Sequence, residues 1–587
     1  MDQEIAYGTE GKMRPAPSHT LTPPGESPPR PMVPRLPPDV YIRRRMVLGG
    51  MVAAVGMGAT MGISRLLGDR AGTGTAQASD RQPQPADPVE ALLTGFIAAE
   101  NALPGTSEFA VRMEKPYVDM LHAWCDHDSA RRGDTVTIFA TTKAKTFTAE
   151  AFRFGWYGGK TGRRVWQADA PIAGLVQKSP TVDAKTNMRS CAHWKPSLTV
   201  DITNDWPPGM YMFRLIGDDG GNTFVPLTIL EDRQAAVLVV SAITTWNAYN
   251  LYGGASLYEG EHGRSKVVTF DRPYHQSGSG HFFGGEYELV QMIESMGIDV
   301  AYTTSVDLHA RPEQIAAGGY KAVISLAHDE YYSVPIRRAL ESARDAGVNL
   351  MFLGANAGFR RIRLEESTHG PHRLEVNYRV AKDDPLNGKG DQSLVTTEWR
   401  AAPAADPEAG LIGNYYESNP VKADMVVVNP GSWILEGTGL TKGHRFKDLV
   451  QNEYDRVTPE VQGTPYNIEV ICHSPVVCRG KSSFADVTYY TDSSGAGVFA
   501  TGTLWWERQL GALCDGTDTN HTDACYIRQM TANVLQAFVA GPAGVAHPSK
   551  SNLAALGIRK GYVKSAPVPV DEKSVGPAGE SGTPPGT

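Results

Sequence analysis

A chain of 587 residues, 41% hydrophobic and 20% charged, has ordinary globular composition and enough length for two or more cores. Its net charge of −8 is mild, and no Lys/Arg stripe runs beyond the N-terminal region. That argues against nucleic acid as a partner.

Residues 1–42 are rich in Pro and Ser ("RPAPSHTLTPPGESPPRPMVPRLPPD") and hold too few large apolar residues to bury a core, so they are expected to be disordered. In residues 43–78, Arg43, Arg44 and Arg45 precede a Gly/Ala-rich apolar run, Met46 to Ser64, of roughly membrane-spanning length. Arg44-Arg45 followed by Met46, Val47 and Leu48 is similar to a twin-arginine export signal. Ala76-Gln77-Ala78 offers a cleavage site. The alternative is an uncleaved single-pass anchor with its arginines on the cytoplasmic side. Either way the chain is expected to be exported to the cell envelope or beyond, touching the membrane only if the segment is retained.

All six cysteines lie after this segment, and an even count in an exported chain suggests disulfides. Cys514 and Cys525 bracket the polar loop "DGTDTNHTDA" and form the first expected pair. Cys472 with Cys478 is the next, leaving Cys125 with Cys191.

Residues 96–233 read as an all-β sandwich. Between Glu108 and Leu230, short strand patterns such as "DTVTIFATT", "FTAEAFRFGWY", "MYMFRLIG" and "TFVPLTIL" are separated by Gly, Pro, Asp and Asn clusters. "GWYGGKTGRR" reads as a structural Gly-rich turn. From residue 234 to 548 the rhythm changes. "AAVLVVSA", "DVAYTT", "KAVISLA" and "VNLMFLGA" are strands, the apolar runs among them typical of strands covered on both faces. "EYELVQMIESMG" places Leu289, Met292, Ile293 and Met296 at helical spacing. Ser333 can cap a second helix that has Pro335 in its first turn and closes at Gly347. This order predicts an α/β, doubly wound, mainly parallel sheet of amidotransferase-like type, interrupted by a β-rich insertion at about 365–465. Residues 549–587 read as a flexible tail.

In such sheets ligands bind beyond the carboxyl ends of the strands. Three strands deliver polar residues there: "TTWNAYNLYGG" with Trp246, Asn247, Tyr249 and Asn250; "HDEYY" with His328 and Glu330; and "LGANAG" with Asn356. A carboxylate after a strand is often a helix cap, but Ser333 can fill that role and leaves Glu330 for other work. Glu453 and Asp455 in "QNEYDR" read as surface charges able to bind a cation. His275 and His281 sit in a Gly/Ser loop that can border the pocket. No GxSxG elbow appears, no cysteine stands at these junctions, and no GxGxxG follows the first strand. Serine hydrolase, glutamine amidotransferase and dinucleotide readings therefore lack their key residues.

The ordered series "FRFGWYGGKTGRRV", "TTWNAYNLYGGASLY", "FDRPY", "MGIDVAYTTSVDLH", "AHDEYYS", "LGANAGF" and "FATGTLWW" resembles the large (β) subunit of N,N-dimethylformamidase and its C-terminal-domain homologues. The resemblance implies a hydrolase acting on an amide C–N bond of a small substrate. It further implies one iron per chain, as Fe3+, held by two tyrosines and one glutamate. Carried across, Glu330 is the glutamate ligand, Tyr249 one tyrosinate, His328 the neighbouring acid/base and Asn356 the pocket amide. By order along the chain Tyr211 is the second tyrosine, with Tyr258 and Tyr331 as fallbacks. Asp329 stands where the family has a proline. Phenolate and carboxylate oxygens are hard donors suited to such a cation. Two other readings stay open: a non-catalytic cell-surface binding module, for instance for glycans, and an anchored structural protein. Self-association is open as well.

Overall fold

Alternation of apolar residues builds the first two sheets in the computed structural model, which describes residues 95–112, 114, 117–231, 233–512, 514 and 522–558. The expected disordered segment 1–42 and export segment 43–78 lie outside the described residues. Among those described, no helix is long and apolar enough to cross a membrane. Strands β1 (Leu121–Cys125) and β2 (Thr135–Thr142) pair antiparallel. So do β3 (Thr146–Phe154), β4 (Gly209–Gly217) and β5 (Asn222–Ile229) in a second sheet. Val136, Ile138 and Ala140 of β2 meet Ala149, Ala151, Phe213 and Leu215 in one buried cluster, as period-two spacing requires.

The second sheet is covered on its other face too. Phe152, Phe154, Met210 and Met212 join the core of the remaining chain. There Arg153 on β3 pairs with Glu294 at 2.7 Å, both side chains fully buried. Asn101 Nδ2 and the Tyr302 hydroxyl also donate to Glu294. A Cβ at Gly155 would stand 2.2 Å from Glu294 Oε2, so the first glycine of "GWYGGKTGRR" makes room for this pair.

The next elements are β6 (Val237–Ser241), α1 (Ile243–Tyr249), α2 (Tyr287–Ser295), β7 (Val300–Thr304), β8 (Ala322–Ser325), α3 (Val334–Asp345) and β9 (Asn349–Phe352). Leu289, Met292 and Ile293 of α2 are buried, and the Ser333 side chain caps α3 by accepting from Ile336 N. There follow β10 (Arg360–Ser367), β11 (Gly370–Val376), β12 (Tyr415–Val426), β13 (Arg445–Arg456), β14 (Glu469–Cys478), β15 (Lys481–Thr491), β16 (Gly497–Ala500) and α4 (Thr522–Val539). The central sheet has the order β7-β6-β8-β9-β16-β15-β14. Its first five strands run parallel and the last two antiparallel. Beyond α4, Asn552 bonds both backbone groups of Val470, and Ile558 is buried.

This corrects the expected class, a doubly wound, mainly parallel α/β sheet preceded by an all-β sandwich. Strand outweighs helix, 34% to 21%, and the sheets are mixed or antiparallel. The physical reason lies in the crossovers. Parallel neighbours need a long return connection, usually a helix, and α2 and α3 supply two. Between β9 and β16 the chain instead runs through β10 to β15, which form sheets of their own and extend the central one antiparallel.

The cysteines divide in the same way. Cys514 and Cys525 form the first expected disulfide, with Cα atoms 5.4 Å apart. Cys125, Cys191, Cys472 and Cys478 are unpaired and buried. Cys472 and Cys478 lie on the single strand β14, which holds them about 20 Å apart at 3.3 Å per residue. Cys125 packs between the two N-terminal sheets, whereas Cys191 packs with Trp124, Phe139 and Trp194 on the opposite side of β1.

Candidate functional site

Two turns at neighbouring strand ends carry the polar residues. After β8 the chain bends at Ala327 (φ +45) and after β9 at Asn356 (φ +60). Both are left-handed positions that a residue with a Cβ enters at a cost, and such strain concentrates at functional sites. Buried carboxylates from later segments hold the two bends. Glu507 Oε1 accepts from Ala327 N at 2.8 Å, and Asp455 Oδ1 accepts from Asn356 N at 2.8 Å. The turns also touch each other, since a Cβ at Gly354 would meet Ala327 O at 1.8 Å. That contact explains the glycine in "LGANAG".

The bends present His328, Glu330 and Asn356, all buried. Glu330 N donates to Thr245 Oγ1 of α1 at 2.9 Å, which ties it to the helix ending in Tyr249. The loop after α1 then folds back, with Leu257 N bonded to Ala248 O. It stacks the Tyr258 ring on that of Tyr249, centroids 4.2 Å apart and 24° from parallel. Three oxygens converge as a result. Tyr249 Oη is 2.8 Å from Glu330 Oε2 and 2.7 Å from Tyr258 Oη. Tyr258 Oη also donates to Glu330 Oε2.

Burial, then the Glu330 charge, pushes both phenols well above the ordinary tyrosine range, so in this arrangement two protons bridge three oxygens. A single hard cation can replace them. For metal–oxygen bonds of about 2.0 Å, adjacent oxygens of an octahedron stand about 2.8 Å apart, so the donor set fits such an ion. Among the described residues no group of three His, Cys, Asp or Glu side chains has the placement to hold a metal. The phenols are what make this cluster a candidate.

His328 Nε2 lies 3.6 Å from Glu330 Oε2 and 3.2 Å from Glu453 Oε2. Neither contact is an aligned hydrogen bond, so the attraction is chiefly ionic. Burial lowers the affinity of His328 for a proton, but Glu453 and then Glu330 outweigh it and raise its pKa to about 9. Arg360 Nε faces Glu330 Oε1 at 3.5 Å. Asp329 turns away from the cluster, accepting from Ser325 Oγ at 2.7 Å and Tyr332 Oη at 3.1 Å. Burial raises its pKa to about 6.

Tyr211 is not brought here. It sits on β4 in the core between the N-terminal sheets, its hydroxyl donating to Pro207 O at 2.5 Å. Tyr258, the first of the two fallbacks, is the tyrosine that stands beside Tyr249 and Glu330. Tyr331 stands edge-on to Tyr258, centroids 6.4 Å apart, with no hydrogen-bond partner for its hydroxyl among the described residues. Glu453 and Asp455, read from sequence as surface charges, are 2% and 3% exposed. The missed signal is their spacing of two, which puts both on one face of β13. His275 Nδ1 accepts from Leu251 N and is occupied structurally. The His281 ring lies 5.7 Å from that of Tyr249.

Comparison with known proteins adds a family. Residues 148–523 match the one described as N,N-dimethylformamidase beta subunit-like, C-terminal. The N,N-dimethylformamidase beta subunit of an Alcaligenes species is 23% identical over 337 residues, 49% of this chain and 42% of that protein. The chain thus spans under half the length of this curated relative. A Paenibacillus cycloisomaltooligosaccharide glucanotransferase, solved with cycloisomaltoheptaose, covers 65% of this chain and 68% of its own at 8% identity. Its TM-score of 0.15 carries no structural argument.

Proposed function

This chain belongs to the N,N-dimethylformamidase beta subunit-like, C-terminal family, and on that premise we propose that it hydrolyses the C–N bond of a small amide, with one iron ion held by Tyr249, Tyr258 and Glu330. The observation that supports this reading most is the convergence of their three oxygens. Bound there, the ion would supply Lewis acidity, polarising the amide carbonyl and acidifying water.

The remaining work falls to the chain. Glu453 Oε2, 3.2 Å from His328 Nε2, favours the charged form of the imidazole, which can then give a proton. Water adds to the carbonyl carbon, the departing nitrogen takes the proton from His328 Nε2 as the C–N bond breaks, and the imidazole recovers a proton from the added water, leaving amine and carboxylic acid. Glu453 keeps that imidazole charged and oriented. Asn356 offers a side-chain amide at the adjoining strand end, suited to orienting the carbonyl oxygen or the water. The Arg43–Arg45 segment, outside the described residues, supports placing this chemistry outside the cytoplasm.

The test uses the full chain, purified and reconstituted with Fe3+. A tyrosinate-to-iron charge-transfer band, about one iron per chain and amine release from small amides are expected together, and Glu330→Ala should remove all three. Wild-type protein that develops no band and releases no amine would overturn the proposal.

A further inference from the structure

Beside the oxygen cluster lies a cation with no carboxylate partner among the described residues. Arg379 is 4% exposed and has a left-handed backbone, φ +66. Its guanidinium carbon sits 4.2 Å from the centroid of the Tyr258 ring. Tyr249 covers one face of that ring, which leaves the opposite face for Arg379. The residue thus completes a stack that ends at the site's own phenols.

Neighbouring arginines are all engaged. Arg360 faces Glu330 and Glu398. Arg361 donates to the carbonyls of Val395 and Gln392. Arg363 pairs with Glu365 and Asp384. Arg379 differs: Arg360 Nε also lacks a hydrogen bond but keeps two carboxylates within 3.5 Å, whereas the buried Nε and Nη2 of Arg379 meet neither acceptor nor carboxylate among the described residues. A cation held over an aromatic face recovers only part of what its desolvation costs. Moreover, the ring occupies the flat face of the guanidinium and leaves its in-plane donors unused.

Which donors are unused is informative. Nε and Nη2 lie along one edge of the planar group, and that edge grips both oxygens of a carboxylate. A neutral amide would leave it without a counter-charge. We propose that Arg379 recognises a carboxylate carried by the substrate, so that the amide handled at this site is an anionic one such as an N-acyl amino acid. This rests on the hydrolase reading above and narrows its substrate class.

Calorimetric titration of the iron-loaded full chain with N-formylglycine and with its uncharged methylamide tests the idea. Wild type should bind the anion at least about tenfold more tightly, since charge-assisted bonds to a carboxylate carry that much selectivity. Arg379→Gln should erase the difference and Arg379→Lys should keep part of it. Acetate should compete with N-formylglycine on the wild type, a readout that needs no variant. Equal affinity for the two probes, binding of neither, or an unchanged preference in Arg379→Gln would overturn the proposal. Amine release recorded in the same samples separates the two readings. Arg379-dependent binding without cleavage sinks the hydrolase and keeps the anion site, whereas cleavage without charge preference does the reverse.

Discussion

Glu453 Oε2 stands 3.2 Å from His328 Nε2, so a carboxylate from the β13 strand favours the charged form of an imidazole at the end of β8. Glu453→Gln should leave the fold in place but remove the charge that keeps His328 protonated. Loss of a partner that orients and charges a catalytic group typically costs about 10- to 100-fold in activity. The cost should fall on kcat for amide release, with KM little changed. Equal activity in the variant would show that Glu453 takes no part.

Tyr258 and Tyr211 make opposite forecasts. Tyr258→Phe removes one of the three converging oxygens and should weaken iron binding and shift or abolish the charge-transfer band. Tyr211→Phe removes only a bond to Pro207 O, worth about 1 kcal/mol of stability. Its iron content and spectrum should match the wild type. A spectrum altered by Tyr211→Phe and untouched by Tyr258→Phe would return the second tyrosine to β4.

These contrasts follow from what can be read in one dimension. His328, Glu330 and Asn356 were legible because apolar strand runs stop abruptly at polar residues, and strand ends are where open sheets bind ligands. Tyr258 was legible only as a fallback, because its position depends on a loop that folds back to Ala248, a contact with no periodic signature. Glu453 and Asp455 had readable spacing, but nothing local tells that this end of β13 is buried on both faces, Tyr454 and Arg456 included. That is decided by His328 and Asn356, which arrive from distant segments. The fold class failed for a related reason. Apolar runs mark buried strands well, yet a β-built crossover between parallel neighbours leaves the same runs and changes the architecture.

The Arg153–Glu294 pair gives a stability forecast free of the site. Both side chains are fully buried, so removing one strands the other without its counter-charge. Arg153→Met and Glu294→Gln should each destabilise by about 3–5 kcal/mol, and the double variant by less than the sum. Denaturant titration of the three proteins measures this. Additive losses would mean that the two charges do not interact.

Glu286 makes stability depend on pH. It is fully buried and accepts from Ser241 Oγ at 2.7 Å, Ala242 N at 3.1 Å and Trp246 Nε1 at 2.9 Å. Burial is the larger influence and the three donors oppose it, leaving the carboxyl raised from 4.5 to about 8. The Ser241 hydroxyl can reverse its role and accept from a protonated Oε2, so the neutral acid is well accommodated. Between these two values the folded chain holds a proton that the unfolded chain has lost. Stability from this group is therefore fully present below 4.5, falls as pH rises through the window, and levels off above 8. A shift of this size is worth on the order of a few kcal/mol. Glu286→Gln keeps the shape and stays neutral, so its advantage over wild type should be small near about pH 5 and grow by more than about 1 kcal/mol toward about pH 8. Urea unfolding of both proteins across that range decides the matter. A constant difference would mean that Glu286 ionises as an ordinary carboxylate despite its burial.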